Sequence, residues 1–216
     1  TLVERDVPPP EGNAEEAFFS WQRRGAAQFR HPHAFLGLMC SVLGEKYPDL
    51  LDELLAAGAR KLTFEDMVPD HLRDQYQPEA GDEKLWMLLC RRATIETVLR
   101  YYVARESNLR IQSQTYVTDV LVEEGQSVQG EPTLTVTGLE LTDRHNQNAK
   151  STHSADVIVN ASGRADKCYQ WLQHKGADII EQRDDAEIVY YTRHYALNER
   201  VTEPKRDSEN PSAGDL

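Results

Sequence analysis

The sequence has no surplus of positive charge. Lys and Arg number 24 against 36 Asp and Glu, a formal net charge of −12 over 216 residues. That balance argues against a nucleic-acid partner, which needs a basic surface to neutralise phosphates. It argues equally against anionic membrane surfaces. No apolar run approaches the roughly 20 residues that span a bilayer. No signal peptide is visible, and residue 1 is Thr rather than Met, so the start of the protein is expected to lie upstream. Cysteine is scarce. Cys40, Cys90 and Cys168 are odd in number and widely spaced, without a C-x-x-C pair. They read as packed, reduced thiols of a cytoplasmic protein. No internal repeat is present.

What remains is globular in composition, 39% hydrophobic and 28% charged. Thr1 to Glu4 reads as the end of a strand, stopped by three prolines. Apolar residues at helical spacing predict helices between Phe35 and Leu55, broken at Pro48-Asp49 and ended at Gly58. Residues 63–84 read as an irregular surface excursion. A helix is predicted over Arg91–Arg105. A β-meander follows through Arg110–Gln114, Tyr116–Glu123 and Leu134–Leu141. Ser154–Asn160 reads as a buried strand, Tyr169–Lys175 as a short helix stopped by Gly176, and Glu187–Leu197 as an alternating aromatic strand. The polar stretch from Val201, with Pro204 and Pro211, reads as a loop or frayed end. The pattern suits a mixed α/β sheet with a side meander.

Four stretches could carry chemistry. Glu4 ends the first strand, and an acid at such a tip can accept hydrogen bonds from two vicinal ribose hydroxyls; a solvated acid is the plainer reading. RRGAAQFRHPHAF gathers Arg23, Arg24, Arg30, His31 and His33 in an otherwise acidic chain. Such a cluster suits a bound anion such as a pyrophosphate, or simply a solvated basic loop. His-x-His could also hold a metal, but the nearby sequence supplies no further ligand, so no metal site is assigned. CRRATIETVLR opens a helix on Arg91-Arg92, mildly unfavourable against the macrodipole: either the helix is indifferent to the charge or an arginine has a separate use. VIVNASGR, residues 157–164, ends a strand in Ala161, Ser162 and Gly163: either an ordinary tight turn or a place where a large ligand approaches the backbone.

In order along the chain, LVERD, RRGAAQFRHPHAF, LLDELLAAGA, RRATIETVLR, TYVTDVLVEEG, ADVIVNASGR with QWL, and IVYYTRHYAL resemble the FAD-dependent monooxygenases of the p-hydroxybenzoate hydroxylase type. The likeness is to the squalene-epoxidase-like and polyether-epoxidase-like branch. It implies an α/β fold: an FAD-binding, Rossmann-like sheet of the glutathione-reductase type with a β-meander. Residues 1–176 would form this domain, with a helical excursion at about 36–84, and 177–216 would begin a mixed-sheet substrate domain.

The resemblance also implies roles. Glu4 would bind the adenosine ribose and Arg5 would flank the adenine. Arg30, with His31 and His33 beside it, would lie near the pyrophosphate. Arg92 would contact the cofactor from its helix, the backbone of Val117 would meet adenine, and Gly163 would let FAD approach. Asn160 stands where this branch often carries an acid. Glu4, Arg30, Arg92 and Gly163 are expected in one cleft, and Thr1–Glu4 and Asp156–Asn160 in one parallel sheet.

FAD is the implied cofactor and NAD(P)H the family's usual reductant. In such enzymes a flavin hydroperoxide delivers oxygen to an apolar or aromatic small molecule. No residue stands out as a general base. The family's glycine-rich turn would precede Thr1 and its later Gly-Asp motif would follow Leu216. The chain therefore reads as an internal piece, expected to hold FAD weakly by itself. Two rivals stay open: a flavin-dependent dehydrogenase, reductase or halogenase of the same fold, and a cofactor-free remnant.

Overall fold

The computed structural model describes residues 1–201 apart from 27, 164, 165, 183, 186 and 197. In chain order the elements are β1 (Leu2–Val3), α1 (Ala14–Ser20), β2 (Pro32–Phe35), α2 (Gly37–Lys46), α3 (Pro48–Ala56), β3 (Arg60–Thr63), α4 (Phe64–Met67) and α5 (Asp70–Arg73). A 3₁₀ turn at Asp82–Lys84 follows. Then come β4 (Trp86–Arg91), α6 (Arg92–Ala104), β5 (Ile111–Gln112), β6 (Thr115–Gln126), β7 (Pro132–Asp143), β8 (Ala149–Ser154) and α7 (Cys168–His174). The α/β expectation holds, with parallel and antiparallel pairing both present. The chain divides into two compact units.

The first unit holds Thr1–Pro9, Trp21–Ala27 and Ala104–Ile188. β1 pairs in parallel with β5, Leu2 opposite Ile111 and Val3 opposite Gln112. β6, β7 and β8 form an antiparallel sheet. The β6–β7 turn is tied by Ser127, whose N–H donates to the Glu131 carbonyl (2.8 Å) and whose Oγ accepts from the Gln129 and Glu131 N–H groups. α7 is pinned to β6 by Lys175 Nζ donating to Asp119 Oδ2 at 2.9 Å. Burial raises the Asp119 carboxyl pKa, but the Lys175 ammonium and the Val120 N–H outweigh it and hold the carboxyl below its ordinary value.

The second unit holds Pro10–Ser20, Gln28–Val103 and the described residues from Val189 on. Its sheet runs β2-β4-β3, antiparallel throughout. Along β4, WMLLCR, alternate residues are buried, so Trp86, Leu88 and Cys90 face the core. They pack with Cys40 and Leu43 of α2, Leu50 and Leu54 of α3, and Ile95 and Val98 of α6. Pro48 at the first position of α3 breaks the chain between α2 and α3, as its spacing foretold. Tyr102 Oη donates to both carboxylate oxygens of Asp49, at 3.1 and 3.0 Å, fastening α6 to α3.

Several expectations are corrected. Residues 157–160 form no strand: β8 ends at Ser154, and Val157 and Val159 stand 79% and 84% exposed. Their apolar side chains suit a buried strand, but no described strand offers them a ladder, and β1 pairs with β5 instead. The aromatic stretch expected as a strand over Glu187–Leu197 is likewise not a strand among its described residues, and Tyr191 is 94% exposed. Residues 63–84 lie at the surface as expected but are only partly irregular: a capping box of Thr63 and Asp66 starts α4, and α5 and the 3₁₀ turn follow. The frayed end expected from Val201 lies, beyond that residue, outside the described residues.

Candidate functional site

The end of β1 carries a polar corner in the first unit. The Glu4 N–H donates to the Gln112 carbonyl (2.8 Å), continuing the parallel ladder. The Glu4 carbonyl then accepts from the Thr115 N–H (3.0 Å), and the Asp6 carbonyl accepts from the Gln114 N–H (3.1 Å). Gln114 takes φ +55°, a left-handed conformation that a side chain rarely adopts. It swings the chain from β5 into β6 around the tip of β1. Its carbonyl is satisfied by the Arg144 N–H at 3.0 Å.

Side chains complete the corner. Glu4 Oε2 accepts from Arg23 Nη1 at 2.8 Å, and Glu4 Oε1 accepts from the Asp6 N–H at 3.1 Å. Asp6, only 6% exposed, accepts from the Gly25 N–H at 2.8 Å and has Arg23 at 3.9 Å and Arg5 at 3.8 Å. The Arg23 guanidinium lies 4.8 Å over Trp21, whose indole N–H donates to the Val7 carbonyl at 2.9 Å. A Cβ at residue 25 would come within 3.2 Å of Asp6 Oδ2, so glycine lets the loop close onto the buried carboxylate.

This donor set fits an adenosine ribose. A carboxylate has about four lone-pair sites, and Glu4 commits one on each oxygen to Arg23 and to Asp6. Acceptor capacity is left for two vicinal hydroxyls, on a side chain 23% exposed. Arg5 is more open still, and Val117 follows on β6 beyond the strand contact. Glu4, Arg5 and Val117 are thus brought to one junction of β1 with β6.

Gly163 lies elsewhere in this unit, in the loop before α7. Its φ is +76°, and a Cβ there would meet no atom within 4 Å. The backbone conformation, not crowding by protein, is what asks for glycine. Asp166 organises the loop: Oδ2 accepts from Asn160 Nδ2 (2.7 Å), while Oδ1 accepts from Ser162 Oγ (2.9 Å) and the Cys168 N–H (3.0 Å). Burial pushes the Asp166 pKa up, but these donors prevail and the carboxyl sits below its ordinary value. Asn160 is explained as well. Its amide donates to Asp166, where an acid would set one carboxylate against another. Arg164 lies outside the described residues.

The remaining expected residues belong to the second unit. The His31 carbonyl accepts from the Arg92 N–H at 2.9 Å, joining β2 to the start of α6. Arg92 Nε donates to Glu96 Oε1 at 2.7 Å, one helical turn on. Arg30 Nη2 donates to the Phe19 carbonyl (3.2 Å) and lies 5.8 Å over Phe18. Arg91 stacks on the same ring at 4.7 Å and pairs with Glu15. His31 Nδ1 meets Thr192 Oγ1 at 2.8 Å. The basic stretch is therefore shared out: Arg23 serves the β1 corner, Arg30 the aromatic cluster around Phe18, and His31 the start of α6 and Thr192.

Sequence reasoning missed the parts played by Asp6, Arg23 and Asp166. Arg23 was visible only as one member of a basic run. Asp6, two residues past Glu4, had no signal to separate it from a solvated acid. A family model described as an FAD binding domain matches residues 5–182 of the chain. No curated protein matches it.

Proposed function

The chain belongs to the FAD binding domain family of oxidoreductases, and from that premise we propose that it is part of a flavin-dependent monooxygenase or epoxidase acting on an apolar or aromatic small molecule. FAD is the cofactor. When bound it supplies electron transfer and oxygen activation, and the protein supplies binding, orientation and exclusion of water. The observation that carries the cofactor site is the part-open Glu4 carboxylate at the tip of a parallel strand, fixed by Arg23 and the Asp6 N–H. Glu4 binds the ribose hydroxyls, and Arg5 and the Val117 backbone flank the adenine. Arg30, His31 and Arg92 serve the diphosphate and flavin portions, and Gly163 lets the cofactor approach the backbone. The monooxygenase assignment rests on the order of the sequence segments, with NAD(P)H as reductant.

Two measurements on the full-length protein test this. Glu4→Gln removes a charge-assisted acceptor worth about 1.5–3 kcal/mol, so FAD dissociation, followed by flavin fluorescence, should weaken roughly ten- to hundredfold. Unchanged affinity would remove Glu4 from the site. Reduction by NAD(P)H under ¹⁸O₂ with an aromatic or alkene substrate should place label in the product. Substrate oxidation that persists without oxygen, given an electron acceptor, would instead identify a dehydrogenase or reductase. Protein purified without flavin, and unable to take it up, would identify a remnant.

A further inference from the structure

We propose that Arg23 is a positioning residue for FAD, acting through Glu4 rather than by touching the cofactor. The inference rests on the reading of Glu4 as the ribose acceptor. A glutamate at a strand tip has three side-chain torsions to lose before it can meet two hydroxyls. Here one of its oxygens is held by a backbone N–H at 3.1 Å and the other by Arg23 at 2.8 Å. The arginine is the shorter and charged contact, so it sets the carboxylate's orientation.

Arg23 is itself held from two further sides. Its guanidinium packs over Trp21, and Trp21 is tied to the β1 extension through the Val7 carbonyl. Its other carboxylate neighbour, Asp6, is buried and clamps the Gly25 N–H, which closes the loop over the strand. A continuous set of contacts therefore runs from the backbone after β1, through Trp21 and Arg23, to the Glu4 carboxylate. The arrangement also places one guanidinium between two acids that would otherwise face each other unscreened in a part-buried corner. A lysine would keep the charge but lose the planar guanidinium that lies over Trp21 while its Nη1 faces both carboxylates.

The test is a double-mutant cycle in the full-length apoprotein, with FAD affinity read by fluorescence and apoprotein melting followed in parallel. Arg23→Ala should weaken FAD about tenfold or more, and Arg23→Lys should recover part of the loss. Adding Arg23→Ala to Glu4→Gln should cost little beyond Glu4→Gln alone, because the arginine then has no carboxylate to position. If Arg23→Ala melts too low to titrate, Arg23→Gln, which keeps one amide donor, replaces it in the same cycle. Affinity unchanged in the arginine variants while Glu4→Gln weakens binding would overturn the proposal and spare the site. Fully additive losses would overturn it too, since they mean that Arg23 contacts the cofactor or supports the fold independently. A silent Glu4→Gln would overturn both the proposal and the reading beneath it.

Discussion

At the residue scale, the β1 corner shows what one unfavourable backbone conformation is used for. Gln114 sits at φ +55° with its N–H and carbonyl both bonded, to Asp6 and Arg144. Left-handed geometry costs a residue with a side chain roughly 1 kcal/mol or more. Gln114→Gly should therefore raise stability in denaturant titrations by up to about 1 kcal/mol; a loss would mean that the Gln side chain contributes more than the strain costs. Asp166 gives a pH prediction. Its folded pKa lies below the ordinary 3.8, so the stability it contributes is complete above that value and is lost as pH falls through the lower, folded value. The Cys168 amide resonance should titrate with a midpoint below 3.8, and a midpoint at or above it would show that the carboxylate is not held. Glu4 could be named as a candidate because an acid at a strand tip can accept from two vicinal hydroxyls, a use that its position alone suggests. Asp6, Arg23 and Asp166 could not be singled out, because their importance lies in partners distant in sequence that no local pattern announces.

At the element scale, four helices were legible, whereas α1, α4, α5 and several strands were not. α2, α3, α6 and α7 announce themselves through apolar spacing, Pro48 and Gly176. The β2-β4-β3 sheet was invisible, since β2 and β3 are four residues each and β4 is a short apolar run that could equally be helix. α1 did carry a signal that was overlooked. Asn13 accepts from the Glu15 and Glu16 N–H groups while Glu16 reaches back to the Asn13 N–H, a capping box written as N-x-x-E. The opposite error at residues 157–160 has the same root, because a strand's existence depends on a neighbour and not on its own residues. Sheet neighbours also make Gly138 a sharp test. A Cβ there would stand 2.6 Å from the His153 carbonyl oxygen of β8, with Ser154 Cα of the same strand at 3.1 Å. Gly138→Ala should push β8 off β7 and cost about 1–3 kcal/mol, visible as lost amide protection over Ala149–Ser154. Unaltered protection would show that the two strands can part by a few tenths of an ångström at no cost. In the other unit, Leu54→Ala empties a fully buried position and should cost about 2–5 kcal/mol.

At the scale of the whole molecule, the acidic balance becomes a property of the fold. A net charge of −12 is self-repelling, and its reach shrinks from about 30 Å at 0.01 M salt to about 8 Å at 0.15 M. The melting temperature should rise over that interval; a fall would mean that ion pairs such as Arg23–Glu4 outweigh the global repulsion. The parallel pairing of β1 with β5 has a consequence in time. β6 and β7 are neighbours in sequence and can zip from their turn on the scale of microseconds. β1 must wait, since most of the second unit lies between it and β5 in the chain, and closing so long a loop is slow and entropically opposed. Pulse-labelled hydrogen exchange during refolding should protect the β6–β7 ladder amides before the Glu4 N–H; simultaneous protection would refute the order. The β1 corner would then be assembled after the hairpin of its own unit, and a newly made chain would pass through a stage in which its meander is finished while Glu4 is still unplaced.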